Sequence, residues 1–141
     1  MRRLFALVSA CVAVAGQDWP RFRGPNGSGV SEARGRPIEF STQRNVFWKA
    51  ELPPGHSSPI LVGDRVFVTG FSPDRLYTIC LDRHTGRELW RRNLPRSKPA
   101  AYHANNSPAS PTPASDGRHV YAFFQETGLV AYDLKAGCAG S

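Results

Sequence analysis

The sequence predicts an all-β chain: propeller blades of four antiparallel strands, about two of them, in an arc that does not close into a ring. Three observations lead there, namely a recurring phrase, the length of its period and the lack of helical periodicity. Residues 81–94 read Leu-Asp-Arg-His-Thr-Gly-Arg-Glu-Leu-Trp-Arg-Arg-Asn-Leu, a turn signature closed by a tryptophan. Its tail, Trp90-Arg91-Arg92-Asn93-Leu94-Pro95, is matched upstream by Trp48-Lys49-Ala50-Glu51-Leu52-Pro53. Its head, Leu81-Asp82-Arg83-His84-Thr85-Gly86, is matched downstream by Tyr132-Asp133-Leu134-Lys135-Ala136-Gly137. Ser58-Pro59 followed by Gly63-Asp64-Arg65-Val66 returns as Ser110-Pro111 followed by Asp116-Gly117-Arg118-His119. Trp48 and Trp90 lie 42 residues apart, Asp82 and Asp133 51, and Ser58 and Ser110 52. Those spacings suit the ~40–50 residues of a four-stranded blade, with an insertion between units. Residues 96–106 hold Pro99 and no apolar periodicity, so the insertion reads as an extended loop. No long window beyond the apolar N-terminus carries a helical period, and helix is expected to be minor.

Met1-Arg2-Arg3 leads into an apolar run over residues 4–15 that ends in Ala13-Val14-Ala15 ahead of Gly16 and Gln17. A basic start, a short apolar stretch and a small-residue cleavage site mark a secretory signal, and the run is too short to span a bilayer comfortably. Residues 1–16 are thus expected to be removed, leaving a periplasmic or secreted chain with no transmembrane span. Val8-Ser9-Ala10-Cys11 also passes for a lipoprotein site, so lipid anchoring stands as the alternative. Residues 17–44 form a turn-rich N-terminal segment, 45–137 carry the repeats and 138–141 are an irregular tail. Within the repeats, residues 60–62, 66–69, 76–81 and 88–94 are β-branched and aromatic runs bounded by Gly, Asp, Pro or Asn, the pattern of strands joined by tight turns.

The last of those turns has a mechanism. Asp82 can accept hydrogen bonds from the amides of its own turn, and Gly86 can take the positive φ that a side chain resists. Trp90 follows on the outgoing strand, placed so that its ring lies over a neighbouring turn where a glycine leaves room.

Residues 81–90 resemble the tryptophan-docking repeat of the quinoprotein-like, or PQQ-binding-like, β-propellers. That family includes PQQ-dependent alcohol dehydrogenases, the propeller lipoprotein of the outer-membrane barrel-assembly machinery and exported bacterial propellers of unassigned function. Asp18-Trp19-Pro20-Arg21-Phe22-Arg23-Gly24-Pro25-Asn26-Gly27-Ser28-Gly29 and Ala109-Ser110-Pro111-Thr112-Pro113 look like phrases of the exported group. The resemblance implies structural repeat positions at Trp48, Asp82, Thr85, Gly86, Trp90, Asp133 and Gly137, with Trp90 docking between blades and Trp48 doing so from a preceding strand. Where the counterpart of Trp90 is due, the chain reads Cys138-Ala139-Gly140-Ser141. Four blades at ~40 residues need roughly 160, against about 125 after signal removal. The expectation is a truncated product or gene fragment, or else assembly of several copies.

Composition narrows the partners. The net charge of +7 falls to +5 without Arg2 and Arg3. Arg83, Arg87, Arg91, Arg92 and Arg96 cluster, but a charge run reads first as a solvated hairpin face, and export argues against nucleic acid. Cys80 sits in an apolar run as a small buried hydrophobe, while a bridge to Cys138 stays open in an exported chain.

No chemistry-bearing constellation emerges. Gly24-Pro25-Asn26-Gly27-Ser28-Gly29 lacks the Gly-Lys-Ser/Thr ending of a phosphate loop. His56, His84, His103 and His119 are scattered, without metal-ligand spacing. Ser57 and Ser58 beside His56 fit a strand entry better than a nucleophile and base. The enzymes of the family use a vicinal disulfide, a calcium ion held by Glu, Asn and Asp, and an Asp base, and none of these can be carried onto a residue of this sequence. Catalytic, cofactor-binding and metal residues are therefore all expected to be none. The expected function is a non-catalytic exported propeller segment, a protein-interaction or scaffold module binding a protein partner or itself through exposed blade edges. The alternative is the N-terminal piece of a PQQ-dependent alcohol dehydrogenase-like oxidoreductase, which would need PQQ and calcium. An open arc leaves blade faces uncovered, so the recombinant mature chain should self-associate in sedimentation; a sharp monomer with cooperative unfolding would contradict this.

Overall fold

The computed structural model describes residues 17–96 and 100–134. The leader, Pro99, Gly137, Cys138 and the tail lie outside the described residues. The fold is all β, in two antiparallel sheets. The first has four strands in sequence order: β1 (Ile60–Val62), β2 (Arg65–Phe71), β3 (Arg75–Asp82) and β4 (Glu88–Pro95). The second has three: β5 (Ala114–Ser115), β6 (His119–Phe124) and β7 (Gly128–Asp133).

Local chemistry sets each turn. Gly63, at φ 54°, turns β1 into β2 so that Val62 faces Arg65. Between β2 and β3 the Ser72 amide donates to the Arg75 carbonyl at 2.8 Å, and the Arg75 amide donates back to Ser72 Oγ at 3.1 Å. β3 and β4 pair from Arg75↔Pro95 to Cys80↔Trp90; the register then shifts so that Leu81 faces Glu88, a bulge that skips Leu89. In the second sheet Asp116 does the turning. Its Oδ1 accepts the amides of Arg118 and His119, and its Oδ2 accepts the Tyr121 hydroxyl at 2.8 Å. Those bonds hold its carboxyl well below the ordinary carboxylate range.

The strands alternate, and the alternation builds the core. Phe67, Cys80 and Trp90 of the first sheet meet Val120 and Leu134 across the inter-sheet gap. The Trp90 ring lies 5.8 Å from that of Phe67 and 5.9 Å from that of Tyr132, both tilted. Leu76 packs on Ala122 and Phe124 in a second cluster. Phe67 and Phe124 are essentially fully buried, each worth about 2–3 kcal/mol of apolar transfer. In β7, Val130 and Tyr132 face the first sheet while Leu129 and Ala131 point away.

Two tethers bind the sheets outside that core. Along the β1 and β5 edges, the Asp18 carboxylate accepts the Gly63 amide, Trp19 bridges Leu61 by two backbone bonds, and the Ser115 amide donates to the Pro20 carbonyl at 2.8 Å. At the β2–β3 and β6–β7 turns, Arg96 forks onto Glu126 at 2.7 and 2.9 Å. The Tyr102 hydroxyl and the Ala100 amide donate to the same carboxylate. Arg96 also donates to the Ser72 carbonyl, so the insertion between repeats is clamped to one turn of each sheet.

The Glu126 side chain is 1 % exposed. The Arg96 fork holds its carboxyl at about 2, against an ordinary 4.5, and the Tyr102 hydroxyl, buried and bonded to Glu126, is pushed up to about 12. A depressed carboxyl stabilises the fold above its unfolded value and loses that contribution as pH falls. Stability from this clamp is thus present in full above about 4.5 and lost towards about 2. Glu126→Gln should cost about 3 kcal/mol in urea unfolding at neutral pH, because Arg96 is left without its counter-charge, and should flatten the acid limb of the stability profile. An unchanged acid limb would count against the clamp.

Candidate functional site

The site is a tryptophan seated on a turn, with an apolar groove beside it. Asp82, at the end of β3, takes the amides of His84 and Thr85 on Oδ1 at 3.0 and 2.8 Å, and the Thr85 hydroxyl at 2.8 Å. Those bonds, that of the Thr85 hydroxyl first, lower the pKa of its carboxyl. The Gly86 amide closes the loop on the Asp82 carbonyl at 2.9 Å, and the Arg83 amide ties it to the Asp64 carbonyl of the β1–β2 turn. Gly86 sits at φ 72°, in the left-handed region.

Trp48 occupies the space that a side chain on Gly86 would fill. A Cβ built there would fall 2.6 Å from Trp48 Cδ2. The indole Nε1 donates to the Arg83 carbonyl at 2.8 Å, so both the ring face and the polar edge are used. Trp48 is not on a strand: residues 46–53 have no ladder partners among the described residues. Its sequence equivalent Trp90 does lie on β4, where β3 pairs with it. A fourth strand is ordered by hydrogen bonds from a third, and among the described residues none pairs with residues 48–53.

Beyond Trp48 the chain runs over the outer face of the first sheet and encloses a groove of about 840 Å³. Its walls are mostly apolar, formed by Trp48, Ala50, Leu52, Leu61, Val66 and Val68, with Ser57, Ser58, Thr69 and Arg83 also lining it. Trp19 closes one end, its own ring stacked on Gly24 as Trp48 is stacked on Gly86.

The other singled-out residues have ordinary structural surroundings. Trp90 is buried in the inter-sheet core, and its Nε1 finds no hydrogen-bond partner among the described residues. Asp133 ends β7; the turn leading to Gly137 is outside the described residues. Thr85 is exposed; its hydroxyl donates to Asp82 and accepts the Arg87 amide at 3.3 Å. Ser57 Oγ accepts the Thr69 amide at 3.0 Å, and the Ser58 amide donates to Thr112 Oγ1, so the His56-Ser57-Ser58 stretch stitches strands together. The Gly24-Pro25-Asn26-Gly27-Ser28-Gly29 loop spends its polar groups on itself, through Asn26, Ser28 and Arg23. Cys80 is fully buried.

The arginine run is spread over separate roles. Arg91 pairs with Glu88 at 2.6 Å and lies over the Tyr77 ring, Arg96 holds Glu126, and Arg83 donates to the Gly63 carbonyl. Among the described residues no group of three His, Cys, Asp or Glu stands ready to hold a metal ion, and no helix is long and apolar enough to cross a membrane. Sequence reasoning missed the Trp19–Gly24 stack and the Arg96–Glu126 clamp. The first had a signal in the tryptophan and glycine of the N-terminal phrase; the second joins residues 30 apart with no shared motif.

In comparison with known proteins, the family model described as outer membrane protein assembly factor BamB matches residues 30–139. No curated protein and no solved structure matches the chain.

Gly86→Ala and Gly117→Ala should separate backbone strain from loss of docking. Both glycines have positive φ, but nothing stands within 4 Å of a Cβ on Gly117. Gly117→Ala should cost about 1 kcal/mol, and Gly86→Ala a further ~1–3 kcal/mol of overpacking. The Gly86 variant alone should shift tryptophan emission to the red; equal costs and equal spectra would refute the docking.

Proposed function

The chain belongs to the PQQ-repeat family described as outer membrane protein assembly factor BamB, and from that membership we propose that it is a non-catalytic interaction module of the cell envelope. The observation that carries this reading is the apolar groove against the outer face of the first sheet. An apolar, blade-sized surface rimmed by polar turns is the kind that another protein covers. Ser57, His84, His103 and His119 spend side-chain polar groups on turns and strands, which favours a scaffold over a catalyst.

Under this reading the partner is a protein that lays an apolar β surface or strand into the groove, and the chain needs no cofactor of its own. Export is part of the proposal. It is supported by the leader-like residues 1–16 and by the family description, whose namesake works on outer-membrane proteins.

Replacing Val68, in the groove, by p-benzoylphenylalanine and irradiating the native host tests this directly. A protein adduct in the envelope fraction is expected from position 68 and not from a control at exposed Asp74. Absence of any protein adduct from position 68, or retention of the chain in the cytosol, would overturn the reading.

A further inference from the structure

We propose that Asn26 is a site of self-catalysed modification. The loop around it promotes loss of its side-chain ammonia through a cyclic imide with the Gly27 nitrogen, and converts it to aspartate and isoaspartate. The reaction needs neither the groove nor a partner.

The local sequence supplies the nucleophile. Asn26 is followed by Gly27, so no side chain shields the main-chain nitrogen next to the carboxamide. The other asparagines are followed by Val46, Leu94, Asn106 and Ser107. Space is open as well: Asn26, Gly27 and Ser28 are all exposed, and nothing stands within 4 Å of a Cβ built on Gly27. The Gly27 amide donates to the Gly24 carbonyl at 3.2 Å, the long end of the ordinary range, so freeing it for attack costs little.

The structure adds a pair of donors on the oxygen where negative charge develops. The Ser28 amide donates to Asn26 Oδ1 at 3.0 Å, and the Ser28 hydroxyl donates to the same atom at 2.7 Å. The hydroxyl is itself held in place, because its oxygen accepts the Val30 amide at 3.1 Å. Two donors converging on one carbonyl oxygen polarise its carbon and stabilise the oxyanion of a tetrahedral intermediate. Asn45 and Asn93 are placed differently. Asn45 gives its Nδ2 to the Glu39 carbonyl at 2.6 Å, and Asn93 lies in the β3–β4 ladder with its Oδ1 on Arg75.

The Gly27 nitrogen gives its proton to solvent hydroxide and bonds to Asn26 Cγ, and the carbonyl electron pair moves onto Oδ1. That pair returns as the Cγ–Nδ2 bond breaks, and Nδ2 takes a proton from water and leaves as ammonia. Water then opens the imide. Cleavage at Cγ leaves aspartate at 26; cleavage at the main-chain carbonyl carbon leaves isoaspartate, with the chain rerouted through the side chain. The sum is an amide and a water giving a carboxylate and an ammonium ion. The new carboxylate falls among cations, since Arg21 donates to the Gly24 and Pro25 carbonyls and Arg23 to that of Ser28. Rerouting the chain at 26 also displaces the Gly27 bond to Gly24, the glycine on which the Trp19 ring rests.

The test incubates the full chain at mildly alkaline pH, digests it, and follows the Asn26 peptide by mass and by chromatography that separates aspartate from isoaspartate. Conversion should be faster at Asn26 than at any other asparagine and should quicken as pH rises. Ser28→Ala should slow it about 2–12-fold, the rate equivalent of one ordinary hydrogen bond. Ser28→Thr, which keeps a hydroxyl, should restore it. In concentrated urea wild type and Ser28→Ala should convert equally fast, because the loop that aims the hydroxyl is gone. Equal rates of the two in the folded protein, or a Ser28 effect that persists in urea, would overturn the inference. So would conversion at Asn26 no faster than at Asn105 or Asn106.

Discussion

The seating of the Trp48 indole on the Asp82–Gly86 turn is the contact on which the rest of the arrangement depends. It joins three requirements in one place: a glycine in the left-handed region with no Cβ in the way, a carboxylate that freezes the turn, and a carbonyl that takes the indole N–H. Each is weak alone, of the order of 1 kcal/mol. Together they fix where residues 48–58 cross the first sheet, and that crossing makes the groove. Without the indole, the outer face of β2 and β3 would be an open apolar sheet face.

The two sheets are held by complementary means. Apolar packing around Phe67, Trp90, Val120 and Phe124 supplies most of the stabilisation, because it removes the most surface from water. The polar tethers supply placement. Asp18, Trp19 and Pro20 bond along the edge strands β1 and β5, and the Arg96–Glu126 fork pins the insertion to the β2–β3 and β6–β7 turns. A buried ion pair contributes little net stability while its loss costs several kcal/mol, so the fork acts chiefly to specify one arrangement.

Much of this was legible in the residues. β-branched and aromatic runs bounded by Gly, Asp, Pro or Asn marked β1 to β4, and the extents in the structure differ from those runs by a residue or two at some ends. The turn chemistry at Asp82 and Gly86 was readable because its partners are local, within four residues. The state of Trp48 was not. The family resemblance placed Trp48 on a preceding strand, but a strand exists only when another strand bonds to it, and that partner is not among the described residues. The Glu126 clamp escaped for the related reason that a charge pair bridging two sheets leaves no periodic mark in either segment. The groove was legible only as an expectation of uncovered blade faces; its shape comes from the way the 48–58 segment crosses the sheet.

The proposed interaction role rests on the apolar groove beside the seated tryptophan, a surface of the kind another protein covers. The direct test of the underlying contact is a double-mutant cycle on Trp48→Ala and Gly86→Ala by urea unfolding. If the indole and the glycine turn depend on each other, Gly86→Ala will cost at least about 1 kcal/mol less in the Trp48→Ala background than in the wild type. Additivity within about 0.5 kcal/mol would contradict the account, because the two residues would then contribute independently.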